Sequence, residues 1–278
     1  MSTSDIKETV KERYTQIAEQ PRAQNVSSCC GSGPCSGSEA EIFAEDYSKL
    51  DGYVPEADLA LGCGIPVDVA GIKEGNTVID LGSGAGNDVF VARRLVGDKG
   101  RVIGVDMTEA MIKKAVQNRE KLGYTNVEFR LGEIEDLPVG ANVADVVVSN
   151  CVLNLVPDKG KAFAEILRVL KPGGHFSISD VVLEGELPPS IATDAAMYAG
   201  CIAGALQRSD YISTIWAAGF SDVEVKREKR IKLPDDVLAK FLGSDEIREL
   251  HESGAAIQSI TVVANKPKSS GCGCGSCS

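Results

Sequence analysis

Short apolar strands alternate with amphipathic helices from residue 77 onward, and this alternation predicts an α/β fold with a parallel sheet covered on both faces. Apolar runs predict strands at residues 77–81, 101–106, 127–130, 143–149 and 176–182. Hydrophobic positions at helical spacing predict the helices between them, at residues 87–96, 108–122 and 159–170. Two later apolar stretches, 223–225 and 257–263, are expected to complete the sheet as an edge pair that includes an antiparallel strand.

The pattern also predicts what lies outside these elements. Ile6, Val10, Tyr14 and Ile17 share one helical face, which predicts an N-terminal helix that packs on the main body and ends before Pro21. A lightly packed helix is predicted over residues 190–206, and a second helix ends at residue 219. Two segments rich in glycine, serine and cysteine, residues 27–38 and 271–278, are expected to be a mobile loop and a disordered tail.

Composition and charge narrow the range of functions. The 278 residues include 29 basic and 40 acidic ones, which gives a net charge of −11 and no basic run to bind nucleic acid phosphates. No apolar run approaches the roughly 18 residues that a membrane-spanning helix needs, so no membrane partner is expected. The first residues lack the basic and then apolar order of a secretory signal, and we therefore expect a cytoplasmic protein.

The first predicted strand runs directly into a glycine-rich turn at residues 82–87, which opens the next helix. Glycines there allow a sharp turn and a close approach of the backbone to a ligand. Asn87 stands where a dinucleotide fingerprint has its third glycine, so the turn departs from the NAD pattern. Asp106 ends the second strand, where a carboxylate can accept hydrogen bonds from ribose hydroxyls. The set predicts nucleoside binding, against the alternative of a tight connection with no ligand.

These residues resemble class I S-adenosylmethionine methyltransferases, which have a Rossmann-like sheet. The likeness extends to residues 132–135 after the third strand, to Asn150 at the end of the fourth and to the Leu-Lys-Pro-Gly-Gly turn at residues 170–174. It implies S-adenosylmethionine as cofactor, bound by Asp80, Gly82, Ser83, Gly84, Gly86, Asp106, Met107, Gly132, Glu133, Ile134 and Asn150. Core packing is an equally good interpretation of Met107, and a cap of its strand is an alternative role for Asn150.

Nine cysteines are unusual for this composition, and their odd number without a secretory signal argues against a disulfide framework. Cys63 precedes the first strand of the sheet, whereas Cys151 follows the fourth strand, at the edge where ligands bind in such sheets. Cys201 lies among small residues. Each of the three has the alternative role of a small buried hydrophobe, most of all Cys201.

Four motifs resemble arsenite S-adenosylmethionine methyltransferases, and the likeness runs from about residue 29 to residue 220. They are Asn-Cys-Val-Leu-Asn-Leu at 150–155, Tyr-Ala-Gly-Cys at 198–201, the Cys-Gly-x-Pro turn at 63–66 and Phe-Arg-Leu-Gly-Glu-Ile-Glu at 129–135. The resemblance implies that Cys63, Cys151 and Cys201 bind trivalent arsenic and that Cys29 or Cys30 takes part in thiol exchange. It also implies arsenite and methylarsenicals as substrates, detoxification as the role, and a thiol reductant of the thioredoxin or glutathione type. Ile65 is a departure, because the family often has asparagine there.

On this reading the chain has four parts. Residues 1–45 hold the N-terminal helix and the mobile loop, 46–182 bind S-adenosylmethionine, 183–265 bind substrate and complete the sheet, and 266–278 form the tail.

Thiolates suit a soft centre such as trivalent arsenic, whose lone pair can attack the sulfonium methyl without a general base. A reaction without a general base fits a chain that has two histidines, His175 beside a turn and His251 in a polar helix.

Two rival functions stay open from the residues alone. One is a methyltransferase for a small organic acceptor such as a quinone or sterol precursor, which would generally need a base for proton removal. The other is a thiol-based metalloid binder or sensor, against which the intact glycine turn and Asp106 argue. The tail cysteines, Cys272, Cys274 and Cys277, would collect arsenite or zinc, or belong to a dispensable surface tail.

Overall fold

The computed structural model describes residues 3–20, 45–192 and 204–268 of the chain. Seven strands of these residues form one sheet: β1 (Thr77–Leu81), β2 (Arg101–Asp106), β3 (Val127–Leu131), β4 (Ala144–Asn150), β5 (Leu170–Glu184), β6 (Ser221–Ile231) and β7 (Ala256–Asn265). The helices are α1 (Thr3–Glu19), α2 (Pro66–Val69), α3 (Asn87–Val96), α4 (Glu109–Leu122), α5 (Lys159–Val169), α6 (Pro189–Ala192), α7 (Arg208–Ala217), α8 (Asp235–Leu238) and α9 (Ser244–Glu252). None of these described helices has the length and apolarity needed to cross a bilayer.

The strand order is β3-β2-β1-β4-β5-β7-β6, and the first five strands in this order are parallel. β7 is antiparallel to both β5 and β6, so the predicted pair does complete the sheet and β6 forms its outer edge. The predicted α/β class is confirmed. β5 begins six residues earlier than predicted because Leu170 pairs with Ala144, ahead of a register shift between Ala144 and Val146.

The helix predicted over residues 190–206 is wrong in its last part. The structure has a short helix at Pro189–Ala192, residues 193–203 lie outside the described part, and residues 204–206 are not helical. The Leu206 carbonyl accepts a hydrogen bond from the Leu183 amide at 2.9 Å, so the chain is extended beside β5 there and does not continue as a helix. The next helix ends at Ala217 rather than residue 219, and Gly219 follows with φ +98°.

Both faces of the sheet are covered by packed apolar side chains. On one face, Phe163 of α5, Phe176 of β5 and Phe220 form an aromatic cluster, with the Phe176 and Phe220 ring centroids 4.8 Å apart. The N-terminal helix packs on the body as predicted, because Val10, Ile17 and Ala18 are buried. This helix lies beside α4, and it covers the carboxyl edge of the sheet where the glycine turn lies.

Candidate functional site

The carboxyl ends of β1, β2 and β4 open into one cavity, which the N-terminal helix also lines. Ten of the residues predicted to bind the cofactor lie on its wall: Asp80, Gly82, Ser83, Gly84, Asp106, Met107, Gly132, Glu133, Ile134 and Asn150. Cys151 lies on the wall as well. This placement follows from topology, since the carboxyl ends of adjacent parallel strands meet at one edge of the sheet.

The glycine turn brings the backbone against its neighbours. Gly82 has φ +68°, and a Cβ there would lie 2.4 Å from Cγ2 of Val152, so a side chain fits neither the conformation nor the space. Gly86, also predicted to bind cofactor, is not among the described residues that line the cavity. Its φ is +102°, and a Cβ there would lie 2.8 Å from the Phe90 ring. Gly86 therefore serves the packing of α3 against the sheet.

Asp106 is held by the turn that it faces. Its Oδ2 accepts a hydrogen bond from the Gly84 amide at 2.9 Å, and its Oδ1 accepts one from the Thr108 amide at 2.8 Å. Burial raises the pKa of Asp106, whereas these two hydrogen bonds lower it and offset part of the rise. Each carboxylate oxygen has a further lone pair, so the side chain can accept hydrogen bonds from a diol at the cavity wall.

Three acids, Asp80, Asp88 and Asp106, line the cavity. Burial, followed by the charges of Asp88 and Asp106, raises the pKa of Asp80 well above its ordinary value. Burial also raises the pKa of Asp88 to about 6, although Tyr47 and Asn150 hydrogen-bond to its carboxylate and oppose the shift. A cationic ligand would favour the charged forms of all three carboxyls, because an opposite charge at short range offsets lost hydration.

Two polar atoms at this edge are buried and lack a hydrogen-bond partner among the described residues. They are Ser83 Oγ and Asn87 Oδ1, both in residues that line the cavity. Buried polar atoms are normally satisfied, so these two fit a ligand that carries hydroxyl or amine groups. Together with the acids, they suit a nucleoside with a positively charged substituent.

Two cysteines lie at the same edge. Cys151 follows β4 with a left-handed φ of +61°, and its amide donates to the Ser179 carbonyl at 2.7 Å. Cys63 lies in the turn before α2, where its amide donates to Asn150 Oδ1 at 3.0 Å and its carbonyl accepts from the Ser259 hydroxyl. Both cysteines are buried in one apolar cluster with Leu155 and others. The asparagine thus joins two segments that are distant in sequence.

Seven of the nine cysteines fall outside the described part of the chain. Cys29, Cys30 and Cys201 lie outside the described residues, as do Cys35 and the three tail cysteines. Within residues 3–20, 45–192 and 204–268, no group of three histidine, cysteine, aspartate or glutamate side chains is arranged to hold a metal ion. The set of three thiols therefore stays a prediction.

Met107 and Asn150 each had two predicted roles, and the structure is compatible with both roles. Met107 lines the cavity and also packs against the apolar cluster that contains the two cysteines. Asn150 lines the cavity, and its amide bonds the Cys63 turn and the Tyr47 hydroxyl. A strand-end cap and a ligand contact are compatible at this position.

Sequence reasoning missed several residues of this site. Met111 of α4 lines the cavity, and so do Lys7 and Tyr14 of α1. Asp88, the second residue of α3, could have been noticed as an acid in the first turn after the glycines. Tyr47 precedes the sheet by thirty positions and carries no sequence signal, since it reaches the site only through folding.

The chain matches a family model described as a methyltransferase domain over residues 72–233. It is 40% identical to the arsenite methyltransferase of Halobacterium salinarum over 95% of this chain and 67% of that protein. It is 34% identical to the arsenite methyltransferase of Aquipseudomonas alcaligenes over 85% of this chain and 68% of that one.

A similar structure is the arsenic(III) S-adenosylmethionine methyltransferase of Chlamydomonas reinhardtii, with 40% identity and a TM-score of 0.64. The match covers 74% of this chain and 68% of that protein. The domain match, the two relatives and this structure agree with the α/β fold described above. The chain therefore belongs to the arsenite methyltransferase family.

Proposed function

We propose that this protein transfers the methyl group of S-adenosylmethionine to trivalent arsenic, with arsenite and methylated trivalent arsenicals as substrates. The observation that carries the proposal is the approach of two buried cysteines to the glycine-turn cavity. Cys151 lines the cavity, and the Cys63 amide is hydrogen-bonded to Asn150, which lines it too. A cavity suited to a cationic nucleoside, beside two thiols, matches a reaction between a sulfonium donor and a thiophilic acceptor.

The cavity wall offers a partner for each part of S-adenosylmethionine. Asp106 would accept hydrogen bonds from the ribose hydroxyls, and Met107 with residues 132–134 would flank the adenine. Asp80 and the glycine turn would face the amino-acid part, where its ammonium relieves the charge repulsion among the buried acids. When bound, S-adenosylmethionine supplies an electrophilic methyl group on a positively charged sulfur.

The cysteines would hold the acceptor. Three thiols replace the three hydroxyls of arsenite and release three water molecules, and soft trivalent arsenic prefers thiolates over carboxylate or imidazole ligands. Cys63 and Cys151 supply two of these sulfurs in our proposal, and Cys201, outside the described residues, supplies the third. Arsenic held in this way keeps a lone pair, which would attack the methyl group. The new As–C bond would form as the S–C bond breaks and S-adenosylhomocysteine leaves, so the transfer needs no general base.

A thiol reductant completes the proposed cycle. Methyl transfer leaves arsenic formally pentavalent, and two thiols can return it to the trivalent state while they form a disulfide. Cys29 or Cys30 would take part in this exchange, and a thioredoxin- or glutathione-type reductant would reopen the disulfide. Such chemistry belongs in a reducing compartment such as the cytoplasm.

Transfer of a radiolabelled methyl group tests the proposal. The acceptor is arsenite with a dithiol reductant in one arm and a quinone precursor in the other, with equilibrium binding of arsenite measured in parallel. We expect label only in arsenic species. Label in the quinone arm would favour the organic-acceptor alternative, and arsenite binding without any transfer would favour a metalloid sensor.

Cysteine variants assign the acceptor site. We expect Cys63→Ser and Cys151→Ser each to lower arsenite methylation at least 100-fold while S-adenosylmethionine affinity stays within a few-fold of the unaltered protein. Cys35→Ser is the matched control, because Cys35 belongs to none of the proposed sites. A Cys151→Ser protein with normal turnover would refute the assignment. An unchanged multiple-turnover rate in the Cys29→Ser, Cys30→Ser double variant would remove the proposed exchange step.

A further inference from the structure

A buried hydrogen-bond network joins the cavity wall to the turn that carries Cys63. The Tyr47 hydroxyl lies 2.8 Å from Asp88 Oδ1 and 3.1 Å from the Gly64 carbonyl oxygen. Asn150 Nδ2 donates to both the Tyr47 hydroxyl and the Gly64 carbonyl at 2.8 Å. Its Oδ1 accepts from the Cys63 amide. One tyrosine and one asparagine therefore connect an acid of the donor cavity with a turn of the acceptor site.

The side chains of this network are closely packed. Tyr47 is 4% exposed and Asp88 7%, so protein covers most of the surface of both side chains. A Cβ at Gly62 would lie 2.7 Å from Asn150 Nδ2, which means that the backbone before Cys63 is in close contact with the asparagine amide. A shift of Asn150 must therefore move the turn at residues 62–64 as well.

Tyr47 acts as the donor in this arrangement. Burial, followed by the nearby charge of Asp88, raises the pKa of Tyr47 well above its ordinary value, so the hydroxyl keeps its proton. That proton has two acceptors within reach, the Asp88 carboxylate and the Gly64 carbonyl. A ligand that stabilises the charged form of Asp88 favours the bond to Asp88, because hydrogen bonds to ionised acceptors are the stronger ones. The choice of acceptor then depends on what occupies the cavity.

We propose that Tyr47 is a positioning residue that couples the donor cavity to the Cys63 turn, so that donor binding and metalloid binding favour each other. The inference rests on the proposed function and goes beyond it, because it assigns a role to a residue that lies off the cavity wall. Coupling between two binding sites is reciprocal and typically changes affinities about 5- to 150-fold.

The test compares arsenite affinity with and without S-adenosylhomocysteine, which fills the donor site but has no methyl group to transfer. In the unaltered protein, we expect S-adenosylhomocysteine to tighten arsenite binding at least five-fold. In Tyr47→Phe, which removes only the hydroxyl, the ratio should fall below two-fold. Methylation by this variant should show a raised KM for arsenite measured at saturating S-adenosylmethionine.

Tyr53→Phe is the matched control. The Tyr53 hydroxyl donates to Asp58 Oδ2 at 2.8 Å, so this change also removes a tyrosine-to-aspartate hydrogen bond in the same segment. We expect Tyr53→Phe to keep the full ratio. Thermal unfolding of both variants separates a general loss of stability from a loss of coupling.

Hydrogen exchange on the unaltered protein gives a readout that needs no variant. Addition of S-adenosylhomocysteine should slow exchange of the Cys63 amide at least five-fold. Three results would each overturn the coupling. One is unchanged exchange of the Cys63 amide, and another is a Tyr47→Phe protein in which S-adenosylhomocysteine still tightens arsenite binding five-fold. The third is an unaltered protein in which S-adenosylhomocysteine does not change arsenite affinity. An unaltered protein that binds no arsenite and transfers no methyl group would refute the proposed function first, and the coupling with it.

Discussion

Replacement of Asp106 by asparagine tests how the cavity holds its donor. The two Asp106 oxygens accept from the Gly84 and Thr108 amides, so in Asp106→Asn one of these amides must face an NH₂ group instead of an acceptor. The change also removes the negative charge that would accept hydrogen bonds from a ribose diol. A hydrogen bond to a charged group contributes about 1.5–3 kcal/mol, and we expect a total loss of about 3 kcal/mol in binding.

A loss of this size corresponds to a rise of about 150-fold in the S-adenosylmethionine dissociation constant, since each 1.4 kcal/mol is about ten-fold. Isothermal titration calorimetry measures it directly. Asp98→Asn is the control, because Asp98 is an exposed aspartate that pairs with Arg93 far from the cavity. Arsenite affinity in the absence of donor should stay within two-fold. A change below three-fold in donor affinity would refute the reasoning about Asp106.

The remaining predictions concern packing, pH and the N-terminal helix. Gly82→Ala should abolish donor binding and lower the Tm by several degrees, because its Cβ would overlap Val152; calorimetry showing normal donor affinity would contradict this. Burial raises the pKa of Asp180 from 3.8 to about 7, so the folded state takes up a proton and is stabilised at low pH. That stabilisation is lost as the pH rises through 7. Denaturant unfolding should therefore show that the free energy of unfolding falls between pH 4 and pH 8 by about 4 kcal/mol more in the unaltered protein than in Asp180→Asn. An equal pH dependence of the free energy of unfolding in the two proteins would show that Asp180 stays ionised. Lys7→Met removes the ion pair with the buried Glu135 at 2.7 Å, worth up to about 1 kcal/mol, so hydrogen exchange in α1 should quicken about five-fold. Unchanged exchange would mean that apolar packing alone holds the helix.

The parts of the site that depend on local properties were predictable. The boundaries of β1, β2 and α3 match the predicted ones, because strand and helix periodicity and the glycine turn are encoded in neighbouring residues. The position of Asp106 followed from the topology of a parallel sheet, in which a residue that ends a strand lies at the ligand edge. The same rule placed Cys151 on the cavity wall.

Errors arose where a distant segment competes with local preference. Residues 204–206 precede α7 in the sequence, yet the Leu206 carbonyl accepts a hydrogen bond from the Leu183 amide of β5. β5 starts early for a similar reason, since Leu170 finds a partner in Ala144 of β4. Both outcomes depend on long-range pairing, which periodicity within one segment does not report.

By itself, the sequence determined the α/β class, the glycine turn and the acid that faces it. The choice of Cys63, Cys151 and Cys201 as candidate ligands came from the resemblance to a known family. Only the tertiary structure decided that Asn150 bonds the Cys63 turn and that Tyr47 reaches Asp88. It also decided that α1 covers the cavity and that the acids share a buried wall with raised pKa values. The physical reason is that hydrogen bonds and desolvation depend on distances between segments that fold together, whereas turns and periodicity depend on bonds between neighbours.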